Sequence, residues 1–368
     1  MNKAIWNTSI TIGNIKIKNR IVFPPIGTSW ANPDGTAGPE VLQWYQEAAE
    51  GGCGMIVVEG STISPDGKSS KRNLGIYDQK QVDGLKRIAE TIKGNGCFAS
   101  IQLLHAGGQA NPEITGFESI SPSAISQSHT GTGHASRAMT ILEIDEIREK
   151  YIAATGLADR AGYQAVELHL AHGYLLHEFL SENTNKRTDR YGGSLANRSR
   201  LILEIISGIK QKSPDLIVGA RVSGEDYLAD GLNRKNNQHL LPLLEAAGLK
   251  YFSVTAGVYE TSKAKHKAMG RGKFFKYSKE IKQIVAKPVI GVGKILDLKA
   301  AEEHLRNEDC DLVAIGRGLI ADPKMIVKTN MKQPYNRCTE CDECKYLARG
   351  RESLICPVRK ADSDAVKK

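Results

Sequence analysis

The chain has 368 residues, of which 40% are hydrophobic and 25% are charged, as in ordinary globular proteins. No apolar stretch approaches the ~20 residues of a membrane-spanning helix, and the N-terminal residues lack a signal-peptide core, so we expect a cytoplasmic protein. The formal net charge is +9, but Lys and Arg are dispersed and only 6% of residues are aromatic. These features argue against nucleic acid or a membrane as partner and favour an anionic small molecule.

Short apolar runs recur along the chain and alternate with amphipathic segments. The runs predicted as strands are 21–23, 55–59, 98–102, 165–169, 217–221, 251–254, 288–291 and 312–315. The segments predicted as helices are 39–50, 79–93, 144–158, 195–212, 236–247, 276–285, 298–305 and 323–331. Eight strand–helix pairs indicate a parallel sheet closed into a (β/α)8 TIM barrel. The runs are apolar throughout, as expected for strands covered on both faces.

Two segments interrupt this alternation, 107–139 and the basic segment 259–275. Each follows a predicted strand, on the face where barrel enzymes carry their active-site loops, and we expect 107–139 to be a structureless functional excursion or lid. The predicted organisation is a (β/α)8 barrel over 1–335 and a cysteine-bearing extension over 336–360 packed on the barrel. A frayed tail over 361–368 follows.

The fourth predicted strand ends in a cluster of polar aromatic residues, His169, His172 and Tyr174. Imidazoles can donate hydrogen bonds to a developing oxyanion, and a neutral tyrosine can deliver a proton. Because barrel chemistry takes place at the carboxyl ends of the strands, the three residues are predicted to form the reaction centre. The alternative interpretation is a satisfied core histidine beside a packing aromatic.

The ends of the other predicted strands suit a flat, phosphorylated ring such as flavin mononucleotide (FMN). The turn 24–27 after the first strand is rigid, and Gly60 permits close approach of a ligand. Gln102 and Arg221 follow the third and fifth strands, and Arg221 could offset negative charge on a reduced flavin unless it pairs with Glu225 or Asp226 instead. The glycine turns after the last two strands carry adjacent cations and favour phosphate binding. These turns contain Gly293, Lys294, Gly316 and Arg317.

These residues resemble the Old Yellow Enzyme family of FMN-dependent ene-reductases. The resemblance covers nearly the whole chain, from residues 19–22 to residues 316–317. The most specific segments are 102–109, 169–179 and 188–194. The resemblance implies a barrel that holds FMN at its mouth. The residues it assigns to FMN are Pro24, Pro25, Ile26, Gly27, Gly60, Gln102, Arg221, Gly293, Gly316 and Arg317.

The resemblance also implies a two-step reaction in which NADH or NADPH first reduces FMN. His169 and His172 would then bind the carbonyl oxygen of an unsaturated substrate, FMN would deliver hydride to the β-carbon, and Tyr174 would protonate the α-carbon.

Two positions depart from the family pattern. Gly27 stands where many relatives use Thr or Cys to tune the flavin, and Ser29 stands where some relatives have a substrate-contacting Tyr.

Four of the seven cysteines crowd into the end of the chain, whereas Cys53, Cys97 and Cys310 are scattered and predicted to be buried thiols. Without an export signal, such a cluster favours a metal site over disulfides. The clustered residues are Cys338, Cys341, Cys344 and Cys356. Their spacing resembles the [4Fe-4S] segment of the 2,4-dienoyl-CoA reductase branch; zinc and unliganded thiols are the alternatives.

The leading functional hypothesis is an NAD(P)H-dependent, FMN-containing reductase acting on the C=C bond of α,β-unsaturated carbonyl compounds. The alternative is a dienoyl-CoA-type reductase of anionic thioesters. Its electrons would come from a ferredoxin or partner reductase through the C-terminal cluster. A flavin electron carrier or sensor is a third class, but it would have no need of the proton donor Tyr174. The sequence is compatible with a homo-oligomer.

Overall fold

The computed structural model describes residues 4–126, 133–258, 261, 270–345 and 351–359. Its strands in chain order are β1 Ile10–Ile12, β2 Ile15–Ile17, β3 Ile21–Phe23, β4 Met55–Thr62, β5 Phe98–Leu104, β6 Ile120–Ser121, β7 Arg137–Ala138, β8 Ala165–Leu170, β9 Ile217–Ser223, β10 Phe252–Thr255, β11 Val289–Gly291 and β12 Leu312–Ala314. Eight of them close into one barrel in the order β3-β4-β5-β8-β9-β10-β11-β12, and β12 pairs with β3. Every barrel pair is parallel, which confirms the predicted (β/α)8 fold.

Helices follow the barrel strands and cover their outer face. The described α-helices are Pro39–Glu50, Val82–Gly94, Pro112–Thr115, Ile141–Arg160, Leu175–Leu180, Leu195–Arg198, Arg200–Lys212, Arg234–Ala247, Phe275–Lys282, Leu298–Arg306, Arg317–Ala321 and Met325–Asn330. The helix predicted over 195–212 is two helices that meet at Ser199. The Ser199 hydroxyl donates to the Ala196 carbonyl at 3.0 Å and competes with the helical hydrogen bonds. Within the described ranges, no helix has the length and apolar character needed to cross a bilayer.

The strands have two apolar faces because two separate cores meet at the barrel wall. Val57 of β4 packs inside the barrel with residues such as Met55, whereas Ile56 and Val58 face the outer helices. Side chains on a strand alternate between its two faces, so a strand in this position must be apolar throughout. This arrangement explains why the strand signal in the sequence was clear.

An N-terminal hairpin, which the sequence analysis missed, packs against the inward-facing residues of the barrel. Strands β1 and β2 pair antiparallel, and Ile12 and Ile17 are buried with the inward-facing barrel residues. Gly13 has φ +61°, a conformation that suits a glycine in the turn. The alternation of Ile with polar residues around Gly13–Asn14 was the signal that could have predicted this hairpin.

The sequence predicts a structureless excursion over 107–139, and this prediction is wrong. It contains a 3₁₀ turn at Gly107–Gln109, the helix Pro112–Thr115 and the short pair β6–β7. The buried Glu178 carboxylate accepts the Gly108 N–H at 3.0 Å and ties the excursion to the barrel. Residues 127–132 and most of the predicted loop 259–275 lie outside the described residues, as does the predicted tail 361–368.

A buried contact between a histidine and an aspartate joins the helix after β8 to the loop after β9. His177 Nε2 lies 3.0 Å from Asp226 Oδ1, and Asp226 also accepts from Ser223 Oγ at 2.6 Å and Leu232 N–H at 2.7 Å. Burial opposes ionisation of Asp226, but His177 and these hydrogen bonds lower its pKa below the usual value. A group with a lowered folded-state pKa contributes stability above its unfolded pKa, and this contribution is lost on acidification.

We therefore expect His177→Ala to lower the free energy of unfolding by about 3–5 kcal/mol at pH 7, because it strands a buried carboxylate. Urea unfolding followed by circular dichroism measures the change. His239→Ala, at an exposed histidine on the helix Arg234–Ala247, is the matched control and should leave stability nearly unchanged. Equal midpoints for the two variants would contradict a stabilising role of the pair.

Candidate active site

Side chains from the carboxyl ends of five consecutive barrel strands, β3, β4, β5, β8 and β9, enclose a cavity of about 270 Å³. Its lining comprises Pro25, Gly27, Glu59, Gly60, Ser69, Ser70, Asn73, Gln102, Leu104, His169, His172, Tyr174 and Arg221. Eight of the residues predicted from the sequence are thus brought together, although they are spread over nearly 200 positions of the chain. This mouth is where (β/α)8 enzymes carry their active sites.

The three predicted reaction-centre residues form one aromatic cluster at this mouth. The His169 ring centroid lies 5.0 Å from that of His172 and 4.8 Å from that of Tyr174, both edge to face. His172 adopts φ +65° and Gly173 φ +79°, which turns the chain sharply after β8 and before the helix Leu175–Leu180. His172 Nε2 also lies 3.0 Å from Thr255 Oγ1 of β10.

His169 is a neutral imidazole at physiological pH. Burial lowers its pKa well below 6.5, and the nearby positive charge of Arg221 acts in the same direction. Its Nε2 atom lies 3.3 Å from His172 Nδ1, whereas its buried Nδ1 atom has no hydrogen-bond partner among the described residues. Buried polar atoms are normally hydrogen-bonded, so this orphaned nitrogen fits a residue that binds a ligand.

Gln102 and Arg221 provide the polar floor of the cavity. The only hydrogen bond of the buried Arg221 side chain within the described residues is a long one, 3.4 Å to Ser253 Oγ, although guanidinium has five N–H donors. The alternative pairing of Arg221 with Glu225 or Asp226 is not found among the described residues, and Asp226 pairs with His177 instead. Arg221 therefore keeps donors for an acceptor-rich ligand such as the flavin pyrimidine ring.

The predicted phosphate turns have the backbone that this role requires. Gly293 has φ +148°, and a Cβ there would lie 2.9 Å from the Phe274 backbone nitrogen, so the position demands glycine. At Gly316, among the residues that the structure describes, a Cβ would meet only Pro24, at 3.8 Å, which leaves the turn open. Together with the orphaned His169 atom and the unsatisfied Arg221, these turns show that the residues present fit FMN.

Five assigned FMN residues do not line the cavity themselves: Gly293, Gly316 and Arg317 of the phosphate turns, and Pro24 and Ile26 of the turn 24–27. Pro24 is buried beside Gly316, and Ile26 packs partly against the outer core. They belong to the same turn as Pro25 and Gly27, which do line it. Their place in the structure is behind the mouth rather than at its surface.

The acidic residues of the cysteine segment pair with the cations of the phosphate turns, a contact that the sequence did not predict. Lys294 Nζ lies 2.9 Å from Glu340 Oε2, and Arg317 Nη1 lies 2.7 Å from Asp342 Oδ1. Farther along, Leu354 is buried and donates its N–H to the Thr28 carbonyl at 2.9 Å. The described parts of the extension therefore contact the segments that follow three neighbouring barrel strands, β11, β12 and β3.

The structure gives the predicted [4Fe-4S] site no support. No disulfide joins the four C-terminal cysteines, Cys341 is exposed, and within the described ranges no three His, Cys, Asp or Glu side chains gather as a metal site. Burial raises the pKa of Cys344 to about 11, so this thiol is protonated at neutral pH. The three scattered cysteines are buried, as predicted.

Sequence analysis also missed a buried acid at the edge of the cavity. Glu59, at the predicted end of the second strand, accepts hydrogen bonds from the Thr28 N–H at 2.9 Å and the Thr28 hydroxyl at 2.8 Å. Burial raises its pKa to about 7. A single charged residue closing the apolar run 55–59 was the available signal.

This raised pKa predicts a pH-dependent stability. A carboxyl whose folded-state pKa exceeds its unfolded value stabilises the fold most at low pH, and the contribution is lost as pH rises through about 7. As pH rises from 5 to 8, we expect the free energy of unfolding of Glu59→Gln to increase relative to that of the parent protein, as measured by urea unfolding. Glu90→Gln, at an exposed glutamate, is the control. A difference between Glu59→Gln and parent that does not change with pH would contradict the assignment.

Several known proteins are similar to this chain over most of its length. The chain is 36% identical over 338 residues to an NADH oxidase of Thermoanaerobacter brockii, covering 90% of this chain and 52% of that protein. It is 33% identical to an NADPH dehydrogenase of Clostridium acetobutylicum, covering 89% of this chain and 97% of the relative. The structure resembles 2-naphthoyl-CoA reductase in complex with 2-naphthoyl-CoA, with a TM-score of 0.91 and 27% identity, over 96% of this chain and 56% of that one.

The chain thus spans about half the length of two of these proteins and nearly all of the third. A family model described as NADH:flavin oxidoreductase / NADH oxidase matches residues 8–336, which include the whole barrel. The resemblance to the Old Yellow Enzymes is thereby confirmed: the chain belongs to the NADH:flavin oxidoreductase / NADH oxidase family.

Proposed function

We propose that this protein is an FMN-dependent oxidoreductase that uses NAD(P)H to reduce the C=C bond of α,β-unsaturated carbonyl compounds. The observation that carries this proposal is the cluster of His169, His172 and Tyr174 at one cavity, beside Arg221 with its unsatisfied donors. A simple electron carrier needs neither two oxyanion donors nor a proton donor.

The residues proposed to hold FMN come from the turns at the barrel mouth. They are Pro24, Pro25, Ile26, Gly27, Gly60, Gln102, Arg221, Gly293, Gly316 and Arg317. When bound, FMN accepts a hydride from NAD(P)H and passes it to the substrate. Gly60 lets the chain approach the ring, since a Cβ there would already lie 3.2 Å from Gln102 Oε1 and from Leu104 Cδ2.

The two histidines bind and polarise the substrate carbonyl. As a neutral imidazole, His169 carries one ring N–H, and His172 beside it supplies a second donor. Hydrogen bonds aimed at the oxygen on which negative charge develops make the β-carbon electrophilic and stabilise the transition state. Tyr174, in edge-to-face contact with His169, then gives its phenolic proton to the α-carbon.

The relatives' names favour a nicotinamide as the electron donor, because one is an NADH oxidase and another an NADPH dehydrogenase. The alternative, a thioester reductase fed through a C-terminal cluster, requires ligands that the described residues do not gather. We also propose that the barrel over 1–335 is the FMN-binding unit and that the extension over 336–360 packs on it. The burial of Leu354 supports this division.

A substrate panel on the FMN-loaded protein, photoreduced under anaerobic conditions, tests the proposed function. We expect 2-cyclohexenone to reoxidise the flavin within the stopped-flow time range. Reoxidation by a dienoyl-CoA alone would favour the thioester reductase. Reoxidation by neither compound would indicate an electron carrier, and failure of the protein to bind FMN would contradict every flavin-based interpretation.

A further inference from the structure

A carboxyl group that the proposed reaction does not use lies inside the barrel, next to the polar floor of the cavity. Glu167 belongs to β8, two residues before His169, and its side chain is fully buried. Strand pairing places Gln102 of β5 opposite Glu167, and Arg221 of β9 opposite His169. The barrel register thus brings together a carboxylate, an amide and a guanidinium.

Glu167 makes one strong hydrogen bond. Its Oε1 atom accepts the Gln102 Nε2 amide at 2.7 Å, whereas Oε2 has no hydrogen-bond partner among the described residues. An acid in this position is costly for packing alone, because burial of an ionised carboxylate requires compensation by hydrogen bonds or an opposite charge. Burial raises the pKa of Glu167, whereas the positive charge of Arg221 and the hydrogen bond from Gln102 oppose that shift and favour the ionised form.

The hydrogen bond determines which end of the Gln102 amide faces the ligand. Gln102 presents its NH₂ group to Glu167, whose Oε1 atom accepts from Nε2. The amide oxygen then points towards Gly60, at the cavity wall, where a Cβ would lie 3.2 Å from it. Gln102 is therefore held with its acceptor available to an N–H group of a bound ring.

The charge of Glu167 has a second consequence. The guanidinium of Arg221 favours the negative charge that bound FMN acquires on reduction, and a nearby buried carboxylate opposes that effect. The two charges lie in the same water-poor interior, where electrostatic interactions are only weakly screened. Their balance, rather than Arg221 alone, acts on the flavin.

We propose that Glu167 is a positioning residue that sets the reduction potential of bound FMN, by fixing the orientation of the Gln102 amide and by offsetting the charge of Arg221. This inference rests on the proposed function only in requiring FMN at this cavity. It does not depend on which substrate accepts the hydride.

The test compares the reduction potential of FMN in the parent holoprotein and in Glu167→Gln, by anaerobic titration against a reference dye. Removal of the negative charge is expected to raise the ratio of reduced to oxidised FMN at a fixed potential by about tenfold, equivalent to about 30 mV for a two-electron couple. Glu178→Gln is the matched control, because Glu178 is also a buried glutamate but hydrogen-bonds the Gly108 N–H instead. Its ratio should stay within about twofold of the parent value.

An unchanged or lower ratio in Glu167→Gln with FMN bound would overturn the proposal, and a purely structural role predicts that result. If Glu167→Gln does not fold, Glu167→Asp is used instead. Its side chain is shorter by one methylene, so the carboxylate lies farther from Gln102. It is expected to raise the ratio by about threefold, and an unchanged ratio would again overturn the proposal. A parent holoprotein that binds FMN but does not reduce an enone would contradict only the proposed function.

Discussion

Tyr174→Phe is expected to slow reduction of an unsaturated carbonyl compound by about 10²–10⁴-fold, the usual contribution of a general acid. The phenolic hydroxyl is lost, but the ring that packs edge to face on His169, with centroids 4.8 Å apart, is retained. FMN reduction by NAD(P)H requires no proton from this residue. The two half-reactions should therefore respond differently.

Stopped-flow absorbance under anaerobic conditions separates the two half-reactions. Flavin reduction by NADPH should remain within about threefold of the parent rate, while reoxidation by 2-cyclohexenone falls steeply. Tyr163→Phe is a matched control: Tyr163 is buried away from the cavity, and its hydroxyl has no partner among the described residues. Equal losses in both half-reactions of Tyr174→Phe would show that the assigned role is wrong.

Loss of the second carbonyl donor is expected to have an effect of similar size. His172→Ala should lower the rate of enone reduction at saturating substrate by about 10²–10³-fold, as removal of one oxyanion donor does in other enzymes. The imidazole that lies 3.3 Å from His169 and 3.0 Å from Thr255 Oγ1 is removed, so the carbonyl is polarised by one group only. FMN content should not change.

The backbone at this position requires a control of its own. His172 has φ +65°, and a non-glycine residue pays about 1–2 kcal/mol in the left-handed region. Glycine adopts this conformation without steric cost and has no side-chain donor, so His172→Gly separates backbone strain from loss of the imidazole. Both variants should reduce the enone slowly. A rate for His172→Gly close to that of the parent would mean that strain, and not the missing donor, explains the alanine variant.

The barrel could be predicted from the sequence because its signal is local. Each strand is an apolar run, and each is followed by an amphipathic helix, as Ile56 and Val58 on one face and Val57 on the other illustrate. The ends of the strands were less predictable. Strand β4 continues to Thr62 through polar residues because its pairing with β5 resumes after a register shift between Val58 and Ser61.

The site was predictable where its residues are close in sequence and not where the fold brings them together. The spacing of His169, His172 and Tyr174 was sufficient to predict one cluster. Glu167 gave no such signal, since a single acid within an apolar run acquires its meaning only from Gln102 on the neighbouring strand. The pairing of Arg317 with Asp342 likewise depends on how the extension folds back.

The cysteine extension shows the limit of spacing arguments. Short gaps between Cys338, Cys341 and Cys344 favour a metal site, but spacing alone does not determine whether the thiols converge. Among the described residues, no three His, Cys, Asp or Glu side chains come together as a group that could hold a metal, and Cys341 is exposed. The acidic residues between them, which contact the phosphate turns, were not recognised as important from the sequence.

The most direct test of the central claim is the position of the label in the product. FMN-loaded protein is supplied with 2-cyclohexenone and with NADPH that carries deuterium at its transferable hydride, in ordinary water, and the product is analysed by NMR. We expect cyclohexanone with deuterium on the former β-carbon and a solvent-derived proton on the α-carbon. Deuterium on the α-carbon, or on the carbinol carbon of an alcohol product, would contradict the proposed reduction of the C=C bond.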